Sequence, residues 1–412
     1  MQARLVKVVA LLALLALPAG GAYAGGPLAL KTDGTPFVWS TAAIPYRTDN
    51  GPLSASVNES EAHTLVDSMF DVWQNVASAT ISYTRAGFIN AVGAFTDGDV
   101  STLDEYNAVV GDCAAGQQNP IIYDDADADV SLLEALGKDV ESVIGFAGFC
   151  GPDTGAGKIV GSHVVMNGLF QDGKNDPVPD LSPAEFDATF IHEFGHFSGL
   201  DHSQINVGCA SGFCSSDDLA GLPTMFPFLV SATQGLLSVD DIAWISRLYP
   251  VVGSSGFAVT HGTITGTVYF SDGESHARFV NVVARLVDNP GTAGINESRT
   301  TAGAGVSGYK FRLFNGNPIN DPDGDGMGTQ APGDIGLYEI SVPPGNYMIE
   351  VESVDEQFTE GSSVGGPFRI PMPGTAPAPI GPISVAAGAT SSGNDVTLIG
   401  SSDARFDQFE GP

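Results

Sequence analysis

The stretch from Phe190 to Ser203, FIHEFGHFSGLDHS, decides the fold and holds three of the seven histidines of the chain. His192 and His196 are four residues apart. In a helix both rings therefore project from the same side, one turn above the other. That spacing lets two imidazole nitrogens converge on one zinc ion.

The residues before this stretch predict where its helix begins. Ser182-Pro183-Ala184-Glu185 is a capping box with proline at the first helical position. Phe186, Phe190 and Phe197 form an apolar stripe that a buried helix needs. We therefore predict a helix over about 183–198 that packs against a hydrophobic core.

Gly199 and His202 predict how the helix ends. A glycine just past a helix end can adopt a positive φ and turn the chain sharply. The turn would bring His202 back as a third ligand. Three neutral imidazoles leave one position of a zinc ion open for water, which is typical of a catalytic site. Zinc lowers the pKa of that water towards about 7, and Glu193 can then act as the general base.

The whole pattern is more specific than any of its parts. A single histidine is more often a core or surface residue than a ligand, and a bare HExxH occurs by chance. HEFGHFSGLDH fits the longer pattern HExxHxxGxxH of the metzincins, which the chain resembles. Pro223 to Pro227, PTMFP, looks like the methionine turn of that family. By resemblance, Met225 supports the ligands without binding metal; ordinary core packing is the alternative.

Two further features resemble the matrixin branch of the metzincins, namely Ser203 after the third histidine and SVDDIAWISRLYP at 238–250. The resemblance covers about 35–250 and implies a zincin-like α+β domain, a mixed sheet with long helices. Departures include the lack of a propeptide cysteine, the lack of the histidines that hold a structural zinc, and Phe226 where tyrosine is common. They suggest a bacterial-type relative.

The N-terminus resembles a signal peptide over residues 1–24. Arg4 and Lys7 precede the apolar run Val8 to Leu17, and Ala22-Tyr23-Ala24 has the small-x-small form of a cleavage site. The run is too short to cross a bilayer. We therefore expect a secreted protein, cleaved after Ala24, with no membrane anchor.

The net charge of the chain limits its possible binding partners, and its cysteines allow disulfides. The net charge is −32, from 48 acids against 16 bases, which argues against nucleic-acid binding. Cys113, Cys150, Cys209 and Cys214 allow three disulfide pairings in an exported chain. We favour Cys209–Cys214 as a local clip and Cys113–Cys150 as a longer one.

The pattern changes near residue 250. We predict a catalytic domain at 25–250, a linker at 251–260, an all-β sandwich at 261–356 and a Gly/Pro/Ser-rich tail at 357–412 that is either extra strands or a flexible end. The sandwich resembles carboxypeptidase-regulatory-like and Cna-B-like domains. Asp321, Asp323 and Asp325 lie in a glycine-containing turn that could bind Ca²⁺, and a plain acidic turn is equally open.

Together these patterns predict a secreted zinc endopeptidase. It would hydrolyse peptide bonds of a protein or peptide substrate, with Glu193 activating the water. The alternative is a secreted binding or surface protein in which the sandwich carries the main function and the protease domain is specialised or inactive. The sequence leaves the natural substrate, the latency mechanism and the oligomeric state open.

Overall fold

The computed structural model describes residues 8–9, 26–31, 33–40, 43–111, 118–125, 131–150, 156–175, 177–289, 296–310, 331–355, 372 and 374–400. The helices are α1 (Glu59–Gln74), α2 (Leu103–Val110), α3 (Leu132–Ala135), α4 (Pro183–Phe197), α5 (Ser216–Ala220), α6 (Val239–Leu248), α7 (Phe257–Thr260) and α8 (Glu297–Thr300). The strands before α6 are β1 (Val8–Val9), β2 (Val38–Trp39), β3 (Ala43–Thr48), β4 (Ser82–Phe88), β5 (Pro120–Asp124), β6 (Gly145–Cys150), β7 (Lys158–Ile159), β8 (Gly161–Asn167) and β9 (Phe228–Leu229). The strands after α7 are β10 (Gly262–Tyr269), β11 (Asn281–Leu286), β12 (Ala302–Val306), β13 (Leu337–Val342), β14 (Gly345–Glu352), β15 (Ile380–Val385), β16 (Thr390–Ser391) and β17 (Val396–Thr397).

A five-stranded mixed sheet forms the frame of the first half. Its order is β4-β3-β5-β8-β6. Neighbouring strands run parallel from β4 to β8, whereas β6 is antiparallel to β8. All seven residues of β8 are buried, as expected for an inner strand covered on both faces. The sheet therefore has one antiparallel edge, formed by β6.

Helices α1 and α4 pack together on this sheet. The rings of Phe70 and Phe194 stack with centroids 3.9 Å apart. The indole Nε1 of Trp73 donates a hydrogen bond of 2.7 Å to the carbonyl of Ile191. Because buried aromatic rings supply much of the apolar area of a core, these contacts fix the height and rotation of α4.

The ends of α4 follow local sequence signals. The amide of Glu185 donates to the Ser182 hydroxyl at 3.3 Å, and the amide of Ser182 donates to the Glu185 carboxylate at 3.0 Å. At the other end Gly199 has a φ of +92°. The helix thus begins at the predicted Pro183 and ends one residue before the predicted Ser198.

The second half consists of two sheets around a separate core. One sheet has the order β13-β10-β16 with β17 also paired to β10, and the other has the order β12-β11-β14-β15. Their apolar residues form one cluster, which includes Ile264, Val282 and Tyr338. β15, β16 and β17 lie within 357–412, so this segment contributes strands to the two sheets.

Other predictions concern segments that the structure describes in part or not at all. The segment 251–260, predicted to be a linker, contains α7. Within 1–24 only β1 is described, and it pairs with β9. The aspartates of the predicted calcium turn, Cys113 and the side chain of Cys150 lie outside the described residues. No helix in the described ranges is long and apolar enough to cross a membrane.

Candidate metal centre

Three histidine side chains converge at the C-terminal end of α4. The Nε2 atoms of His196 and His202 are 3.1 Å apart, and those of His202 and His192 are 3.2 Å apart. All three rings are buried. Within the described part of the chain, this trio is the one group of His, Cys, Asp and Glu side chains placed to share a metal ion.

Backbone carbonyls set the tautomers of two of these rings. The Nδ1 of His192 lies 2.8 Å from the carbonyl oxygen of Thr224, and the Nδ1 of His196 lies 2.8 Å from that of Leu200. A carbonyl oxygen can only accept, so both Nδ1 atoms carry the proton. In the neutral ring each Nε2 then presents a lone pair to the centre of the trio.

This arrangement fits a cation better than it fits an empty core. The lone pairs of His192 and His196 point towards the Nε2 of His202, and a cation at the centre would bind all three nitrogens. Two Zn–N bonds of about 2.0–2.1 Å at a tetrahedral angle would hold their nitrogens about 3.3–3.4 Å apart. The separations of 3.1 and 3.2 Å among His192, His196 and His202 are close to that value.

Burial keeps the rings in the form that binds metal. It lowers the pKa of His192 to about 4 and, with the nearby charge of His192, that of His196 to about 3. Burial also lowers the pKa of His202 well below its ordinary value. All three are therefore neutral at physiological pH, which is the state that coordinates metal ions.

A turn at Thr224 and Met225 supports the trio from below. The Asp241 carboxylate accepts hydrogen bonds from the amides of Thr224, at 2.8 Å, and of Met225, at 3.1 Å. The Met225 side chain lies against Gly195, where an added Cβ would be 2.2 Å from its sulfur. The Met225 carbonyl in turn accepts from the amide of Ser203, at 2.8 Å. Met225 thus contacts the helix between two ligands and the residue after the third.

Glu193 lies next to the first histidine with an unsatisfied carboxylate. It is 1% exposed, and its Oε1 has no hydrogen-bond partner among the described residues. The other polar contact of the carboxylate is a hydrogen bond from the backbone amide of Ala147 in β6. Burial raises the pKa of Glu193 well above its ordinary value. A buried carboxyl with a raised pKa beside a metal site is suited to taking up and releasing a proton.

A pocket opens beside His192. Its free volume is about 20 Å³, and its walls are mostly apolar: Ile144, Ala188, Thr189, His192, Thr224, Phe226, Pro227, Phe228, Leu229 and Gln234. The Gln234 side chain holds the far wall, because its Oε1 accepts from the amide of Val230 at 2.7 Å and its Nε2 donates to the carbonyl of Phe228 at 2.8 Å. The pocket is therefore shaped by a pinned loop rather than by loose chain.

The predicted Cys209–Cys214 disulfide is present, in the segment between the third histidine and Met225. Cys209 packs in one apolar cluster with Phe226 and Phe228, two residues of the pocket wall. Sequence reasoning identified the histidines, Glu193 and Met225, but it missed Asp241, Ala147 and Gln234. For Asp241 a signal existed, since Ser238 and Asp241 form a capping box.

Comparison with known proteins does not identify a relative. No family model and no curated protein matches the chain. Among solved structures, the chain is similar to a leucine-rich repeat protein from Bacteroides thetaiotaomicron at 15% identity and a TM-score of 0.15. That match covers 34% of this chain and 14% of the other. A TM-score this low carries no argument about fold or function.

Proposed function

We propose that the protein is a secreted zinc endopeptidase of the metzincin type, similar to bacterial matrixins. The observation that carries this proposal is the convergence of the three Nε2 atoms, with two tautomers fixed so that lone pairs face the centre. His192, His196 and His202 would hold the ion. Zinc bound there would supply a Lewis acid that polarises the scissile carbonyl and acidifies water.

Glu193 and Ala147 would serve the proton transfers of the reaction. Glu193 takes a proton from the attacking water and passes it to the leaving amine, which is the role of a general base and then a general acid. Burial raises the pKa of this carboxyl, which favours holding the proton taken from water until it passes to the amine. The hydrogen bond from Ala147 orients the carboxylate without neutralising it.

The open edge of β6 supports a peptide as the substrate. Among the described strands β6 pairs only with β8, which leaves its other edge unpaired. The Ala147 amide reaches Glu193 and Ile144 lines the pocket, so this edge borders the histidine trio. An extended peptide can add to such an edge through backbone hydrogen bonds. The apolar walls of the pocket favour an apolar side chain next to the cleaved bond.

The test combines metal content with proteolysis. Purified protein would be assayed on casein with and without a zinc chelator, and its zinc would be quantified. We expect chelator-sensitive cleavage. Glu193→Gln should retain zinc and lose roughly 10²–10⁴-fold in rate, the usual contribution of a general base. Undiminished cleavage by this variant would remove Glu193 from the mechanism.

A histidine outside the trio provides the control. His276→Gln, in the second half of the chain, should retain both zinc and activity, whereas His202→Gln should lose both. A zinc-loaded wild-type protein that cleaves no member of a broad peptide library would instead favour the alternative, a secreted binding protein whose sandwich carries the function.

A further inference from the structure

The four residues that follow the third histidine are buried against the second half of the chain. We call residues 203–206 the post-ligand segment. The carbonyl of Gln204 accepts a hydrogen bond of 3.1 Å from the Asn281 side chain in β11. The Gln204 side-chain oxygen accepts one of 2.7 Å from the amide of Asp355, just after β14. The segment is thus bonded to β11 and to the chain that follows β14.

Apolar packing adds to these hydrogen bonds. Ile205 is fully buried and belongs to one cluster with Val283, Ala302 and Ala304. All three partners lie in β11 or β12. Burying a side chain of this size contributes roughly 1.5–3 kcal/mol, so this is a substantial anchor for a short segment.

Asn206 is held by a buried ionic network. Its φ is +60°, and its side-chain oxygen accepts a 3.0 Å hydrogen bond from Arg285. The Arg285 guanidinium also pairs with Glu350 at 3.0 Å and with Glu352, and its side chain is 3% exposed. Glu352 accepts from the amide of Asn206 as well, at 3.2 Å. Glu352 therefore holds the backbone amide of Asn206, and Arg285 holds its side chain.

The neighbouring sandwich strand β12 contacts α6, the helix whose Asp241 supports the methionine turn. The Asp240 carboxylate accepts from the amide of Ala304 in β12 at 2.9 Å. It also lies beside the hydroxyl of Ser203. Two adjacent carboxylates of one helix thus connect the sandwich, the post-ligand segment and the turn under the histidines.

We propose that the β-sandwich is a positioning part of the metal centre, and that Arg285 and Ile205 set the location of His202. This inference rests on the proposed metal function. His192 and His196 are fixed by α4, whereas His202 lies beyond the helix end at Gly199. The first half holds Ser203 through the Met225 carbonyl, and the sandwich anchors the remaining residues of the post-ligand segment. Without that anchor, metal binding would have to order the segment, and the affinity would fall.

The coupling between the sandwich and the metal centre can be measured either as a change in zinc affinity or as a change in the docking of the sandwich. If the docked sandwich strengthens metal binding, metal binding must strengthen docking by the same factor. Zinc should therefore slow amide hydrogen exchange in β11 and β14 of the wild-type protein. A merely structural interface, with no link to the ligand, would give the same exchange with and without zinc.

The decisive experiment uses the full-length protein and measures zinc affinity by competition with a chelator. Ile205→Ala and Arg285→Gln should each weaken zinc binding about 10-fold, as is common for residues that orient metal ligands. With cobalt(II) in place of zinc, both should change the visible absorption spectrum. Ile205→Val, which removes one methyl group, should give a smaller loss in the same direction and covers the case in which the alanine variant does not fold.

The control is an ion pair that crosses the same interface elsewhere. Arg247 in α6 bonds Glu339 in β13 at 3.1 Å and does not contact the post-ligand segment. Arg247→Gln should lower the stability of the protein but leave its zinc affinity within about twofold of the wild-type value. Larger changes in affinity, of about 5–150-fold, are typical of sites that are coupled to the ligand.

The outcomes separate this inference from the proposed activity. Unchanged zinc affinity in the Ile205 and Arg285 variants, with an active wild-type enzyme, would overturn this inference alone. Weakened affinity in those variants, with no peptide cleavage by any protein, would support this inference and overturn the activity. A wild-type protein that binds no zinc would overturn both.

Discussion

Gly195 is the position where one added methyl group tests the packing under the metal centre. A Cβ there would lie 2.2 Å from the sulfur of Met225 and 2.9 Å from Cζ2 of Trp73. In a helix, replacing glycine by alanine normally stabilises by about 1 kcal/mol. Overpacking a filled core costs about 1–3 kcal/mol. We therefore expect Gly195→Ala to lower the free energy of unfolding by about 1 kcal/mol instead of raising it.

The sign should reverse when Met225 is shortened. Met225→Ala alone should cost about 2–5 kcal/mol, as for other buried methionines. In that background the new methyl group enters the vacated space, and the Trp73 ring, 2.9 Å from it, can shift into the same space, so Gly195→Ala should stabilise by about 1 kcal/mol. The coupling between the two sites would then be about 2 kcal/mol, well outside ordinary additivity.

Urea denaturation of the zinc-free protein, followed by tryptophan fluorescence, measures these energies. The three tryptophans, Trp39, Trp73 and Trp244, all precede residue 250, so the signal reports the half that contains the histidines. The chelator removes any contribution of metal binding. If Gly195→Ala stabilised both backgrounds equally, Met225 would not lie against the helix and the reasoning would be refuted.

Two further predictions concern pH and the disulfide. In the zinc-free protein, burial lowers the pKa of His192 from 6.5 to about 4. Between these values the unfolded chain binds a proton that the folded chain does not, so the free energy of unfolding should fall with falling pH, by up to 1.36 kcal/mol per unit for this histidine. Urea titrations at several pH values should show a shallower slope for His192→Gln. Cys209→Ala with Cys214→Ala opens a loop whose ends are five positions apart, so the loop-entropy relation predicts a loss of about 2 kcal/mol, measurable by the same denaturation. An unchanged midpoint would contradict it.

Local sequence signals were sufficient for the helix that carries the site. The capping box at Ser182 and the glycine at 199 act within a few residues of themselves, so both ends of α4 could be read directly. α2 was missed although Thr102 and Glu105 form the same kind of capping box. Strand β6 begins only at Gly145, although the apolar residues Val143 and Ile144 before it are also buried. Apolar composition reports burial, whereas pairing with β8 decides where a strand runs.

The surroundings of the histidines were harder to foresee for a physical reason. The ligands lie within eleven residues of one another, and their spacing is itself the signal. The carbonyl of Thr224 orients His192 and the amide of Ala147 orients Glu193, and both are backbone atoms from distant segments. Every residue has such atoms, so no side-chain pattern marks them.

The contacts of the post-ligand segment also bear on the timing of biosynthesis. His202 leaves the ribosome 79 residues before Asn281 and 153 residues before Asp355, by the difference of their positions. At about 5–20 residues per second, those partners follow roughly 4–30 s later. A nascent chain would carry its histidines through that interval without the strands that anchor them. Full metal affinity would then be reached only after the sandwich strands are made. Zinc uptake by stalled chains of increasing length would reveal this lag. The lag would protect the growing polypeptide from the proposed peptidase activity.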